Sequence, residues 1–236
     1  MLLEAKGELF GKHLVATDGR IGAVRDVYFD DRRWVVRYLE VDAGTGVPGR
    51  KVLISPASIK PGGSGDQDIA VTLTREQVRN CPGPDEHMPV SRQFEEAHAR
   101  YYGYPFYWDG SYLWGSSPHP FSGAPPVTAA PGGPSSVERK RELKEAEEDA
   151  RASHLRSSDE MIGYRVVATD GLIGHVEDFI VDETNWAIES MIVDTRNWLP
   201  GKHVRVPVDA VDKVDWLTRE MRLKVARDDV KSAPRT

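Results

Sequence analysis

GKHLVATDGRIGAVRDVYFDDRRWVVRYLEVD, residues Gly11–Asp42, recurs as GYRVVATDGLIGHVEDFIVDETNWAIESMIVD, residues Gly163–Asp194, at a constant offset of 152 and without a gap. Outward from this stretch the register carries Pro48-Gly49 onto Pro200-Gly201 and ISPASI onto VPVDAV. It ends with Ile69–Pro82 against Met221–Pro234. Self-similarity at a fixed spacing means one structural unit used twice, here residues 10–82 and 162–234.

Within each unit, short runs rich in Val, Ile, Leu, Tyr and Phe are separated by Gly, Pro, Asp and Asn, a pattern of strands and turns. ATDG, at Ala16–Gly19 and Ala168–Gly171, is hairpin chemistry: Asp tolerates a left-handed backbone and Gly adopts positive φ without Cβ strain. The run Ile21–Asp30 breaks strict alternation, because a period of two cannot place Val24, Val27 and Phe29 on one face. A bulge near Asp26, and another near Asp178, restores the register. Further strands are expected at Trp34–Val41 and Trp186–Val193, Lys51–Ile54 and His203–Val206, and Ile69–Leu73 and Met221–Val225. Five or six short strands in about 73 residues point to a small barrel, whose closure removes exposed edges. Thr74-x-x-Gln77 reads as a capping box opening a helical turn to Asn80; the second copy has Ala226 at the cap and a looser turn.

The pattern GKxVxxxDGxxIGxVxDxxxD, followed by a Trp-bearing strand and a VD-loop-PGK segment, resembles the PRC-barrel family in both units. The carrying residues are Gly11, Asp18, Gly19, Ile21, Gly22, Val24, Asp26, Asp30 and Pro48-Gly49. Their counterparts are Gly163, Asp170, Gly171, Ile173, Gly174, Val176, Asp178, Asp182 and Pro200-Gly201. The family is named for the cytoplasmic domain of the photosynthetic reaction-centre H subunit, and a similar barrel forms part of a bacterial ribosome-maturation factor. VSRQFEEAHARYYGYPFYW (Val90–Trp108) and HLRSSDEMIGY (His154–Tyr164) also resemble segments of bacterial tandem PRC-barrel proteins. The resemblance implies an all-β fold with minor helix: two small PRC-type barrels joined by a helical and aromatic segment and a flexible linker. The divisions expected are 1–82, 83–114, 115–134, 135–161 and 162–236. Two barrel copies and no N-terminal membrane helix are expected, a departure from the H subunit.

Between the copies, Ser91 can cap a helix presenting Phe94, Ala97, His98 and Tyr101 on one face, with Gly103 as its stop. YPFYWDGSYLW (Tyr104–Trp114) then places six aromatics in eleven residues, too apolar to hang free. It must cover a barrel of this chain, a second copy, or another protein. Residues 115–134, rich in Pro, Gly, Ser and Ala, read as a flexible linker, and a charged, solvated helix is expected after Ser135.

The formal charge of −6 gives no reason to approach nucleic acid. No run nears the roughly 18 apolar residues of a membrane span, so a cytoplasmic protein is expected. One cysteine, Cys81, excludes an intramolecular disulfide and reads as a small apolar residue. Seven scattered histidines lack metal-ligand spacing; neither a phosphate loop nor a nucleophile motif occurs. The recurring Asp18, Asp30 and Asp42 (with Asp170, Asp182 and Asp194) read as turn residues.

No enzyme, cofactor or metal is therefore expected, and the function expected is that of a non-catalytic interaction or scaffold module. Ribosome or RNA association and a peripheral role at a photosystem are the alternatives the resemblance leaves open. The loop after the VD element differs between copies, AGTGVPG against TRNWLPG. Candidate contact residues are Tyr104, Tyr107 and Trp108 in the aromatic segment, with Arg196 and Trp198 in this loop. The partner expected is a protein, with self-association first.

Overall fold

The computed structural model describes residues 1–44, 50–64, 68–83, 90–120, 154–195 and 203–231. Fourteen strands are described: β1 (Leu2–Glu4), β2 (His13–Ala16), β3 (Gly19–Asp30), β4 (Val35–Asp42), β5 (Lys51–Ile54), β6 (Ile59–Ser64), β7 (Asp68–Val71), β8 (Leu155–Ser157), β9 (Arg165–Ala168), β10 (Gly171–Asp182), β11 (Ile188–Asp194), β12 (His203–Pro207), β13 (Val211–Asp215) and β14 (Glu220–Leu223). The helices are α1 (Arg75–Asn80), α2 (Arg92–Tyr102), α3 (Ser158–Met161) and α4 (Arg227–Lys231). A π-helical turn occupies Ala5–Leu9, and single 3₁₀ turns lie at Pro56–Ser58 and Val208–Ala210.

Two seven-stranded sheets result, and their orders superpose under the repeat. One runs β5-β4-β3-β2-β7-β6 with β8 added to β3; the other runs β12-β11-β10-β9-β14-β13 with β1 added to β10. In each, the first strand of the copy lies parallel to the last, β2 with β7 and β9 with β14. Neither order is closed by a pairing between its two end strands among the described residues. β1, β6, β8 and β13 were not foreseen: β1 and β8 are only three residues long, and β6 is Lys-Pro-Gly-Gly-Ser after one Ile. None carries a run of β-formers.

The hairpin at ATDG forms as expected, Ala16 pairing Gly19 and Ala168 pairing Gly171, with the glycines at φ +135° and +141°. Asp18 and Asp170 turn out to do more than shape the turn. Asp18 accepts the backbone N–H of Arg75 (2.7 Å) and Asp170 that of Arg227 (3.0 Å), so each hairpin holds the start of its copy's last helix. The bulge expected near Asp178 is present: β10 and β11 slip register between Val176 and Asp178, which lets Val176, Phe179 and Val181 all face the core. The capping box at Thr74 and Gln77 forms, and α1 runs to Asn80. Trp34 and Trp186 stand outside the strands expected to carry them, in left-handed backbone at φ 52° and 62°.

The described chain divides into two compact units that cut across the repeats. One comprises Met1–Phe10, Asp26–Val36 and Arg156–Thr236; the other comprises Gly11–Arg25 and Arg37–Leu155. The first buries Leu3, Leu9, Phe29, Val35, Phe179, Met191 and Val193, and the second Leu14, Val24, Leu39, Val52, Ile54, Ile69 and Val71. Among the described residues no helix is long and apolar enough to cross a membrane.

Candidate interaction surface

α2 begins where Ser91 Oγ accepts the N–H of Phe94 (3.2 Å) and ends at Gly103, whose φ of 69° lets Tyr104 N donate back to Ala99 O (2.8 Å). Its buried positions are Glu95, His98, Ala99 and Tyr102. The expected face, Phe94, Ala97, His98 and Tyr101, is therefore displaced by one residue, and Ala97 is exposed. A carboxylate on the buried stripe hid this face from a hydrophobic pattern; it is tolerated because it is paired.

Glu95 receives Arg92 at 3.0 Å and a short hydrogen bond from the Tyr107 hydroxyl. Arg92 also donates to the Tyr107 hydroxyl (3.2 Å) and lies 4.1 Å from the centroid of Trp108. Trp108 in turn stacks on Phe106 at 4.8 Å and 11°. From β4, Arg37, only 1% exposed, inserts its guanidinium 3.8 Å from the Tyr107 ring and 4.9 Å from Trp114, and donates to Leu113 O at 2.7 Å. Cation–π contacts of this kind gain when desolvated. The Tyr107 hydroxyl is pushed well above its ordinary pKa by burial and by the Glu95 charge, so it stays a donor.

Tyr104 is buried, its hydroxyl 2.7 Å from Ser58 Oγ, and burial raises its pKa to about 12. His98 donates Nε2–H to Leu53 O (2.9 Å), the tautomer that a carbonyl acceptor requires, and burial lowers its pKa to about 4. A cavity of about 30 Å³, room for one water, is lined by Tyr38, His98, Tyr104, Tyr107, Trp108 and Trp114.

The aromatic segment is thus held by its own chain, within the second unit. Of the candidate contact residues, Tyr104 is an internal anchor, whereas Tyr107 and Trp108 are half-buried. Phe106 beside them is also half-buried, and Tyr112, in the bridged turn Tyr112–Ser117, is 57% exposed. Arg196 and Trp198 lie outside the described residues, as do the stretch 121–134 and the charged segment 135–153. Sequence reasoning missed Arg37, Arg92 and Glu95. An arginine in the apolar run VVRYLEV was the available signal, since a buried strand tolerates one only against a partner.

Cys81 is buried and its thiol is raised by that burial. In the first unit, a cavity of about 550 Å³ is lined in part by Glu4, His175, Glu177, Asp178, Asp194 and His203. In strand register Asp194 lies opposite His175 of β10 and His203 of β12, and His203 Nε2 lies 3.2 Å from Glu177. Among the described residues no group of three or more His, Cys, Asp or Glu could hold a metal ion.

Two seven-stranded sheets of one strand order make two small β-domains. Residues 154–229 match the PRC-barrel domain. The PRC-barrel match takes in β8 to β14 and the first residues of α4, including the arm-like Leu155–Ser157 that precedes the second copy. Among curated proteins, none matches this chain.

Proposed function

We propose that the chain is a non-catalytic protein-interaction module built from two PRC-type units, 10–82 and 162–234, with the ridge Phe106, Tyr107, Trp108 and Tyr112 as its principal contact face. The observation that carries this reading is the way Arg37, Arg92 and Glu95 fix an aromatic segment that is not wholly buried. Rigid Tyr and Trp edges lose little conformational entropy on association and suit interface anchors. The PRC-barrel match at 154–229 supports a binding role, and the identical order of the other sheet supports a second unit of the same kind. Arg196 and Trp198 form a second contact element of the proposal.

The first partner is a second copy of the chain. Light scattering across a concentration series should show a dimer whose dissociation constant rises about ten-fold in Trp108→Ala with Tyr112→Ala. Trp198→Ala is measured alongside to weigh the second element. A wild type that stays monomeric throughout, and whose photo-crosslinker at position 112 captures no protein in cells, would overturn the reading.

A further inference from the structure

In the first unit, the short segment ahead of each copy is held by the other copy. β1 runs antiparallel to β10, with Leu2 opposite Asp182, Leu3 opposite Val181 and Glu4 opposite Ile180. β8, which overlaps the positions 154–156 that the offset of 152 assigns to β1, is added to β3. Leu3, in the first unit, and its equivalent Leu155, the last residue of the second, are both buried.

The turns that follow these two arms dock on equivalent carboxylates. Asp178 accepts Lys6 N–H and Gly7 N–H, each at 2.8 Å. Asp26 accepts Asp159 N–H (3.1 Å), the Ser158 hydroxyl (3.0 Å) and the Ser157 hydroxyl. Each aspartate also accepts the N–H of its own next residue, Val27 or Phe179, at 2.7 Å. The strand starts are crossed in the same way: Val36 N donates to Trp186 O (2.8 Å), Ile188 N to Trp34 O (2.7 Å), and Val35 pairs with Ala187.

Apart from the Ser157 hydroxyl, whose counterpart is Ala5, these contacts share one property. Move one partner forward by 152 and the other back by 152, and the contact maps onto another contact of the set: Lys6 and Gly7 on Asp178 become Ser158 and Asp159 on Asp26, and Val36 on Trp186 becomes Ile188 on Trp34. A surface on which residue i meets j and j meets i is self-complementary, the rule for two identical modules related by a twofold axis. Nothing in such a surface needs a covalent link between the modules.

We infer that this is an association surface whose partner is a second copy of the module, the exchanged arms being its recognition elements. The connection between the copies serves to raise their effective concentration. Each arm binds by strand addition to a β edge, and the aspartate takes the donors of the turn behind it, two N–H groups at Asp178 and one N–H with two hydroxyls at Asp26.

The test cuts the intact protein. A specific protease site is placed between Ala129 and Ala130 of the full chain, and the cleaved protein is followed by size-exclusion chromatography and native mass spectrometry. The expected result is a one-to-one complex of both fragments, which trades fragments when mixed with isotope-labelled cleaved protein. Asp26→Ala with Asp178→Ala should weaken the cleaved complex about hundred-fold. Asp26→Asn with Asp178→Asn, which keeps an acceptor oxygen, should restore most of it. If the Ala pair fails to fold before cutting, Leu3→Ala with Leu155→Ala takes its place with the same expectation. Wild-type fragments that separate on cleavage overturn the inference, and so does a cleaved complex that neither pair of substitutions weakens. The aromatic ridge is untouched by these variants, so this outcome and that of the ridge test are separate.

Discussion

Gly22 and Gly174 occupy equivalent places on β3 and β10, where the strand passes against the end of the next one. A Cβ built on either would lie 1.8 Å from a backbone oxygen, that of Asp42 or Asp194. A backbone atom cannot swing aside, so the glycine is required by space and not by its dihedral angles. Gly22→Ala and Gly174→Ala should each lower stability by about 3 kcal/mol in urea unfolding. A loss under half of that would mean the strands can part locally. The repeat of IG in both copies was visible in the sequence, but its cause was not, because the clash is with a residue twenty positions away. Asp26 and Asp178 were visible in the same way and took on a different meaning. Burial raises the pKa of Asp26 against the pull of the Ser157, Asp159, Val27 and Ser158 donors, so a residue expected only to mark a bulge is a desolvated acceptor.

At the scale of elements, α2 shows what a hydrophobic pattern catches and what it misses. Its start, its stop and its amphipathic character all followed from Ser91, Gly103 and the spacing of apolar residues. The face was shifted because Glu95 is buried and Ala97 is not, an arrangement set by Arg92 and Tyr107, which no local rule connects. His98 on that face gives the helix a pH dependence. In the unfolded chain it titrates near 6.5, while in the folded protein its pKa is about 4. Between these values the unfolded state binds the extra proton, so stability present above pH 6.5 falls as the pH drops towards 4. The loss attributable to this residue is about 3 kcal/mol. Replacing His98 by Gln keeps an N–H donor for Leu53 O and removes the titration, so its unfolding free energy should be flatter over that window. Equal slopes for the two proteins would place the acid sensitivity elsewhere.

At the scale of the molecule, the arms carry a consequence for truncation. Removing residues 1–10 deletes β1 and so bares the side of β10 that pairs it, in a sheet formed by residues more than 150 positions later. An exposed, well-formed edge invites pairing with other chains. The truncated protein should melt lower and scatter light at a lower onset temperature than the intact chain, and an unchanged melt would show that β1 contributes little. The duplication was legible in the sequence, and the β character of both copies, the ATDG hairpins, the bulge near Asp178, α1 with its capping box and the extent of α2 all depend on residues close together in the chain. Local sterics and hydrogen bonding set them wherever the segment lies. The exchange of arms, the burial of Arg37 and Glu95 against the aromatic segment, and the part of that segment left exposed depend on which distant surfaces meet. Leu3 and Leu155 sit in arms too short and too mixed in polarity to announce a strand, and they become strands because β10 and β3 supply the missing hydrogen-bond partners.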